Sequence, residues 1–161
     1  MNEEQFDRFY ATSFSPLVGQ IYVMCGSMAE AQDCVQEAFI RAWDHRAKLD
    51  PTNSHGWVRT VAYRLAVSRW RKAVRAFRQP DRALEPVKDL EPDPTNLAIA
   101  SALEQLPMQQ RRAIVLHHLA DLTVNQVAAE MGAPSGTVKS WLVRGRETLA
   151  RLLSDLEAHH A

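Results

Sequence analysis

The chain has 161 residues, 46% hydrophobic and 24% charged, which is the composition of a globular protein with one medium or two small domains. Its 19 basic residues balance its 19 acidic residues, so the net charge predicts no partner. No apolar run approaches the roughly 18 residues that span a membrane, and the acidic N-terminus does not resemble a signal peptide. The two cysteines lack CxxC spacing, which excludes a disulfide framework and a thiolate zinc site. We therefore expect a cytoplasmic protein without membrane insertion.

The charges are distributed unevenly along the chain. Residues 1–40 contain six acidic residues and one arginine, whereas residues 57–77 contain six basic residues and no acidic one. Aromatic residues alternate with these cations, a pattern that suits single-stranded or melted nucleic acid because rings stack on bases while cations hold phosphates. Part of the segment, including Trp57, Val61 and Leu65, is also expected to join a hydrophobic core.

Apolar residues recur every three or four positions along most of the sequence, as they do on one face of a helix. This spacing predicts helices over residues 3–24, 28–46, 54–77, 95–105, 108–119, 123–131 and 136–156. Ser54 is the expected cap of the third helix. Since no alternating pattern long enough for a strand occurs, the predicted fold class is all-α.

Residues 80–94 separate two groups of predicted helices. They contain four prolines and several acids, and proline continues neither a helix nor a central strand. We predict two small helical domains, a helical bundle over residues 1–79 and a helix-turn-helix domain over 95–161, joined by this flexible, acidic linker. The last predicted helix ends close to residue 161, so we expect no further C-terminal domain.

A helix-turn-helix pattern occurs near the C-terminus. Thr123 and Gln126 have the spacing of a capping box, and Gly132 is suited to end the helix that they begin. Pro134 prevents that helix from continuing, and Ser135 can cap a second one. Solvation alone explains the polar outer face of this second helix about as well as DNA binding does. The short turn and the small residues at the helix start favour a helix that enters the major groove.

Three segments, taken in order, resemble the extracytoplasmic-function (ECF) class of bacterial sigma factors. They are DCVQEAFIRAW at 33–43, SHGWVRTVAYRLAVSRWRK at 54–72 and LPMQQRRAIVLHHLADLTVNQVAAEMGAPSGTVKSWLVRGRETL at 106–149. The resemblance covers nearly the whole chain. It implies an alternative sigma factor that binds core RNA polymerase and directs promoter recognition, DNA melting and transcription initiation.

The resemblance also implies three sets of contact residues. The second helix would dock on the polymerase β′ clamp through Asp33, Gln36, Glu37, Phe39, Arg41 and Trp43. The third helix and the loop before it would bind and open the minus-10 element through Asn53, Ser54, Trp57, Arg59, Arg64, Arg69, Arg71 and Lys72. The last helix would read the minus-35 element through Thr137, Lys139, Ser140, Trp141, Arg144 and Arg146. The remaining implied partners are the polymerase β flap, promoter DNA and an anti-sigma factor. A membrane-anchored anti-sigma factor would hold the protein near the membrane.

The sequence departs from the usual family pattern at three positions. Arg64 stands where many relatives carry asparagine, Ser68 where they often carry aspartate, and Trp141 where arginine is frequent. Because these positions or their neighbours set specificity, the promoter sequence cannot be carried over. Trp141 can contact a thymine methyl or pack against its own domain, and we favour packing.

Other classes of function fit the sequence less well. The adjacent histidines at 117–118 and 159–160 point about 100° apart on a helix, so neither pair makes a metal site by itself. We therefore predict no enzyme, cofactor or metal. Cys25 and Cys34 are interpreted as small core residues rather than sensors. The alternatives are a stand-alone helix-turn-helix regulator that binds an operator without polymerase, and a helical adaptor that binds only protein.

Overall fold

The computed structural model describes residues 1–76 and 94–160, with side chains described over 1–76 and 97–155. The chain divides into two compact units, Met1–Pro92 and Asp93–Ala161. Every regular element in the described ranges is a helix, which confirms the all-α prediction. The predicted linker lies outside the described residues, except for its last residue, Pro94, where a helix already begins.

Within its described residues, 1–76, the first unit contains three helices, α1 (Glu3–Cys25), α2 (Met28–Asp44) and α3 (Ser54–Ala76), and each contacts the other two. A capping box from Asn2 begins α1, because the side chains of Asn2 and Gln5 each accept a hydrogen bond from the other's backbone N–H. The core between the helices combines aromatic rings with small and branched apolar side chains, of which Leu17, Ile21, Ala31, Val35, Val58 and Ala62 are almost fully buried.

Cys34 is part of this core, as predicted. Its side chain is fully buried. Burial raises the pKa of the Cys34 thiol to about 11, so the reactive thiolate is scarce at neutral pH.

The junction between α2 and α3 is a tight, hydrogen-bonded turn. The Asp50 carboxylate accepts hydrogen bonds from the backbone N–H and the hydroxyl of Thr52, at 3.0 and 2.8 Å. Ser54 does not act as the predicted cap, because it is the first residue of α3 and its hydroxyl donates to the Pro51 carbonyl at 3.1 Å. His55 Nε2 lies 2.8 Å from the buried Ser13 hydroxyl, which ties the start of α3 to α1.

The second unit contains α4 (Pro94–Glu104), α5 (Met108–Ile114), α6 (Val124–Met131) and α7 (Ser135–His160). The helix predicted over 108–119 is α5 followed by a π-helical turn, Val115–Leu119. This widening of the helix was not predicted.

The helix-turn-helix is formed by α6 and α7. Thr123 and Gln126 form the predicted capping box of α6. Gly132 ends α6 with a φ of 65°, the left-handed conformation that glycine adopts without a Cβ penalty. Val138 and Leu142 on α7 are buried, so one side of α7 packs within the unit.

Gly145 is where α7 lies against α5. A Cβ atom added at Gly145 would be 3.0 Å from Ile114 Cγ1, whereas one at Gly136 would meet nothing within 4 Å. We expect Gly145→Val to lower the free energy of unfolding by about 1–3 kcal/mol because of overpacking. The matched control Gly136→Val should stay within about 0.5 kcal/mol of wild type. Thermal and urea unfolding of both variants measure this, and equal stability would contradict the close α5–α7 contact.

Candidate polymerase and nucleic-acid interfaces

One face of α3 is a basic groove. Arg64, Ser68, Arg71 and Arg75 follow one another at spacings of three or four residues, so they share a face of the helix. With Tyr63, Val67 and Lys72 they line a groove of about 480 Å³. These described lining residues include four cations and no carboxylate. We call this surface the α3 groove, and its chemistry suits a polyanion.

Two of the arginines predicted for the minus-10 element do not face the α3 groove. Arg59 is buried, and its Nη1 donates to Gln20 Oε1 at 3.2 Å. Arg69 Nη1 lies 3.5 Å from Glu30 Oε1 and 3.9 Å from Asp33 Oδ2, so it pairs with the acidic end of α2. Arg59 lies on the buried side of α3 and Arg69 faces α2, a division between faces that the sequence-based prediction did not make. Ser54 is buried as well, so we do not retain Ser54 and Arg59 as DNA contacts, whereas the Arg69 side chain is 38% exposed and engaged by the α2 carboxylates.

A smaller pocket lies at the turn between α2 and α3. Its volume is about 180 Å³, and it is lined by His45, Lys48, Leu49, Asp50, Asn53 and Trp57. The rings of His45 and Trp57 are 5.7 Å apart, and Asn53 is exposed at the rim. We call it the Trp57 pocket. Arg64 follows Trp57 by seven residues, and Arg71 follows Arg64 by seven. The pocket and the α3 groove therefore lie along the same face of α3.

The outer face of α2 is mixed polar and apolar. Of the residues predicted there, Asp33, Gln36 and Arg41 are exposed, and Glu37 accepts a hydrogen bond from Arg41 Nε at 3.3 Å. Ile40 lies among them with 53% of its surface exposed. Sequence reasoning missed Ile40, although an apolar residue outside the helix's buried stripe was a usable signal. We call Asp33, Gln36, Glu37, Ile40 and Arg41 the α2 face.

The two predicted aromatic contacts of α2 point inwards. Phe39 is only 2% exposed, and its ring lies 5.2 Å from that of Phe9. Trp43 is half-buried, 5.0 Å from the Phe6 ring and 3.8 Å below the guanidinium carbon of Arg46. Their contacts hold α2 against α1, so we do not retain Phe39 as a contact residue of the α2 face.

The outer face of α7 is open to solvent. Thr137, Lys139, Arg144 and Arg146 are exposed, and Ser140 is half-buried. Trp141 is also half-buried, and the prediction that it mainly packs stays a prediction.

The described part of the chain contains neither a metal-binding cluster nor a membrane-spanning helix. Within it, no group of three or more His, Cys, Asp or Glu side chains is placed to hold a metal ion. Among its helices, none has the length and apolar character needed to cross a membrane.

Comparison with known proteins identifies the family. The family model for sigma-70 region 2 matches residues 10–76, and that for sigma-70 region 4 matches residues 96–149. The ECF RNA polymerase sigma factor SigW of Bacillus subtilis is 31% identical over 157 residues, covering 84% of this chain and 81% of SigW. SigL of Mycobacterium tuberculosis, also an ECF sigma factor, is 32% identical over 144 residues, covering 83% of this chain and 80% of SigL.

A solved structure has the same fold. The sigma factor RpoE from Bartonella quintana, in complex with the anti-sigma factor NepR, matches with a TM-score of 0.79 at 24% identity. The match covers 92% of this chain and 96% of RpoE.

The chain belongs to the ECF class of sigma-70 RNA polymerase sigma factors. It is an alternative sigma factor that directs promoter recognition and transcription initiation. Its relatives are sigma factors, which are not enzymes. A stand-alone operator-binding regulator would share only the helix-turn-helix unit and would leave the match to region 2 unexplained.

Proposed function

We propose that this sigma factor opens the minus-10 element with the α3 groove and the Trp57 pocket. The observation that carries the proposal is the alignment of the groove and the pocket on one face of α3. The groove is lined by cations, and the pocket is lined by the Trp57 ring and the Asn53 side-chain amide. The groove cations would hold the backbone of one strand. An unstacked base would enter the pocket and stack on Trp57, which contributes about 1–3 kcal/mol per base. This offsets part of the few kcal/mol that unstacking costs.

The α2 face is the proposed docking site for the β′ clamp of core RNA polymerase. An exposed apolar side chain surrounded by polar and charged ones resembles the centre and rim of a protein interface. Ile40 would form the centre, and Gln36, Glu37 and Arg41 the rim. The ion pair of Arg69 with Asp33 links this face to α3.

The outer face of α7 is the proposed reader of the minus-35 element. The small residues Ser135, Gly136 and Thr137 allow the start of α7 to approach a phosphate, and Lys139, Arg144 and Arg146 lie further along it. The same unit would contact the polymerase β flap. We assign no cofactor to any of these surfaces and no catalytic residue to the chain.

An anti-sigma factor is a further proposed partner. The structural relative RpoE was solved in complex with the anti-sigma factor NepR, and CnrH was solved in complex with the cytosolic domain of CnrY. A partner that covers the α2 face would prevent polymerase binding. Because polymerase and promoter DNA occur in the bacterial cytoplasm, we propose that location for the active protein, with a membrane-anchored partner as one way to hold it at the membrane.

The Trp57 pocket can be tested by mutation. We expect Trp57→Ala to reduce promoter opening about tenfold or more, because one stacking contact is lost. Asn53→Ala should act in the same direction with a smaller effect. Permanganate reactivity of unpaired thymines around minus-10 measures opening, with holoenzyme concentrations matched by core-binding assays. Trp70→Ala is the control, because Trp70 is 57% exposed on the same helix and lines neither pocket nor groove. Equal opening by wild type and Trp57→Ala would contradict the assignment.

A further inference from the structure

His118 contacts one of the arginines on the outer face of α7. Arg146 Nε donates a hydrogen bond to His118 Nε2 at 3.2 Å, although the two residues are 28 positions apart. Both side chains are exposed. His118 lies in the π-helical turn that ends α5, so the contact joins this turn to the proposed DNA-reading face.

The contact requires a neutral His118 ring with its proton on Nδ1, because only a bare Nε2 can accept. Partial desolvation of the ring, followed by the positive charges of Arg146 and the neighbouring His117, lowers the pKa of His118. This shift favours the neutral ring that the contact requires.

His118 is itself held in place by its neighbour. His117 Nδ1 donates to the Leu122 carbonyl at 2.7 Å, which fixes the His117 ring. The two histidine rings meet edge to face, with centroids 4.8 Å apart at 74°. Both histidines lie in the π-helical turn, which the hydrogen bond from Ala120 N to Val115 O closes at 3.0 Å. Such turns are rare inside helices and are frequent at functional sites.

The hydrogen bond has a direct consequence for Arg146. With Nε occupied by His118, the two terminal Nη groups remain to bind a phosphate or the edge of a guanine. Holding the side chain in one orientation also reduces the conformational entropy that it loses on binding.

We propose that His118 is a positioning residue that orients Arg146 for contact with minus-35 DNA. This inference rests on the proposed function of α7 as the minus-35 reader. His118 itself does not touch DNA in this proposal, and its effect passes entirely through Arg146.

A double-mutant cycle with the reconstituted holoenzyme tests the proposal. We would measure binding to a promoter fragment by wild type, His118→Ala, Arg146→Ala, the double variant and His118→Gln. His118→Ala should weaken binding about three- to tenfold, and the double variant should bind no more weakly than Arg146→Ala. His118→Gln should restore most of the affinity, because its amide oxygen can accept the Arg146 Nε–H. Replacing the minus-35 sequence of the fragment should remove the effect of His118→Ala where Arg146 reads a base edge, and preserve it where Arg146 binds a phosphate.

The possible results distinguish the positioning role of His118 from the DNA-binding role of Arg146 on which it rests. If His118→Ala binds like wild type while Arg146→Ala is weakened, the positioning role is wrong and the DNA role of Arg146 stands. If neither single variant is weakened, Arg146 is not a DNA contact and both ideas fail at this residue. If His118→Ala weakens binding equally with and without Arg146, His118 acts through the fold of the unit, and the proposal is overturned. Thermal unfolding of each variant accompanies the cycle.

Discussion

Reversing the charges of Arg64, Arg71 and Lys72 to glutamate is expected to abolish promoter opening while leaving core polymerase binding intact. All three are exposed and line the α3 groove. Each reversal replaces attraction to the phosphate backbone with repulsion, so together they should reduce open-complex formation about a hundredfold or more. Run-off transcription and permanganate footprinting measure opening. Titration of labelled core polymerase measures binding.

The choice of residues follows from the structure. Arg69 is left out because its guanidinium faces Glu30 and Asp33 on α2. The matched control is Arg8→Glu, since Arg8 is an exposed cation on α1 that pairs with Glu4 of its own helix at 3.5 Å. Normal opening by the triple variant would exclude the α3 groove as the DNA-binding surface. Parallel loss of core binding would show that these residues do not act on DNA alone.

Ile40→Glu should weaken binding to core polymerase at least about tenfold. Residues at the centre of a protein interface carry most of its binding energy, and a carboxylate placed there loses its hydration without gaining a partner. Ile40 is 53% exposed, so the substitution leaves the folded core undisturbed. A fluorescence titration of labelled sigma factor with core enzyme measures the affinity.

Val74→Glu is the matched control for this measurement. Val74 is 43% exposed, lies on α3 and is not part of the α2 face, and it receives the same charge. The control should bind core polymerase like wild type. If Ile40→Glu also binds like wild type, the α2 face is not the docking site. If both variants lose binding equally, the loss does not depend on the surface that is altered.

The helices and several of their caps could be predicted because short-range rules determine them. The capping box of Thr123 and Gln126 and the positive φ of Gly132 depend on residues within one turn of the helix end. The prediction that Ser54 caps α3 was wrong, because the Ser54 hydroxyl donates to the Pro51 carbonyl in the preceding turn. The π-helical turn Val115–Leu119 could not be predicted, because apolar spacing in so short a segment does not distinguish it from an α-helix.

The candidate surfaces were predicted at the level of helices, and less well at the level of side chains. The resemblance implied roles for α2, α3 and α7, but the direction of each side chain depends on tertiary packing. Arg59 faces α1 and Arg69 faces α2 because these helices provide Gln20 and two carboxylates as partners. The contact between Arg146 and His118 joins positions 28 residues apart, which no local pattern reveals.

The most direct test of sigma activity is transcription in vitro with purified core polymerase of the source bacterium, with and without this protein. Promoter fragments from the same genome would serve as templates. The account predicts new, discrete start sites that appear only when the protein is present, and co-elution of the protein with core enzyme. The absence of both discrete transcripts and co-elution with the cognate core would contradict it.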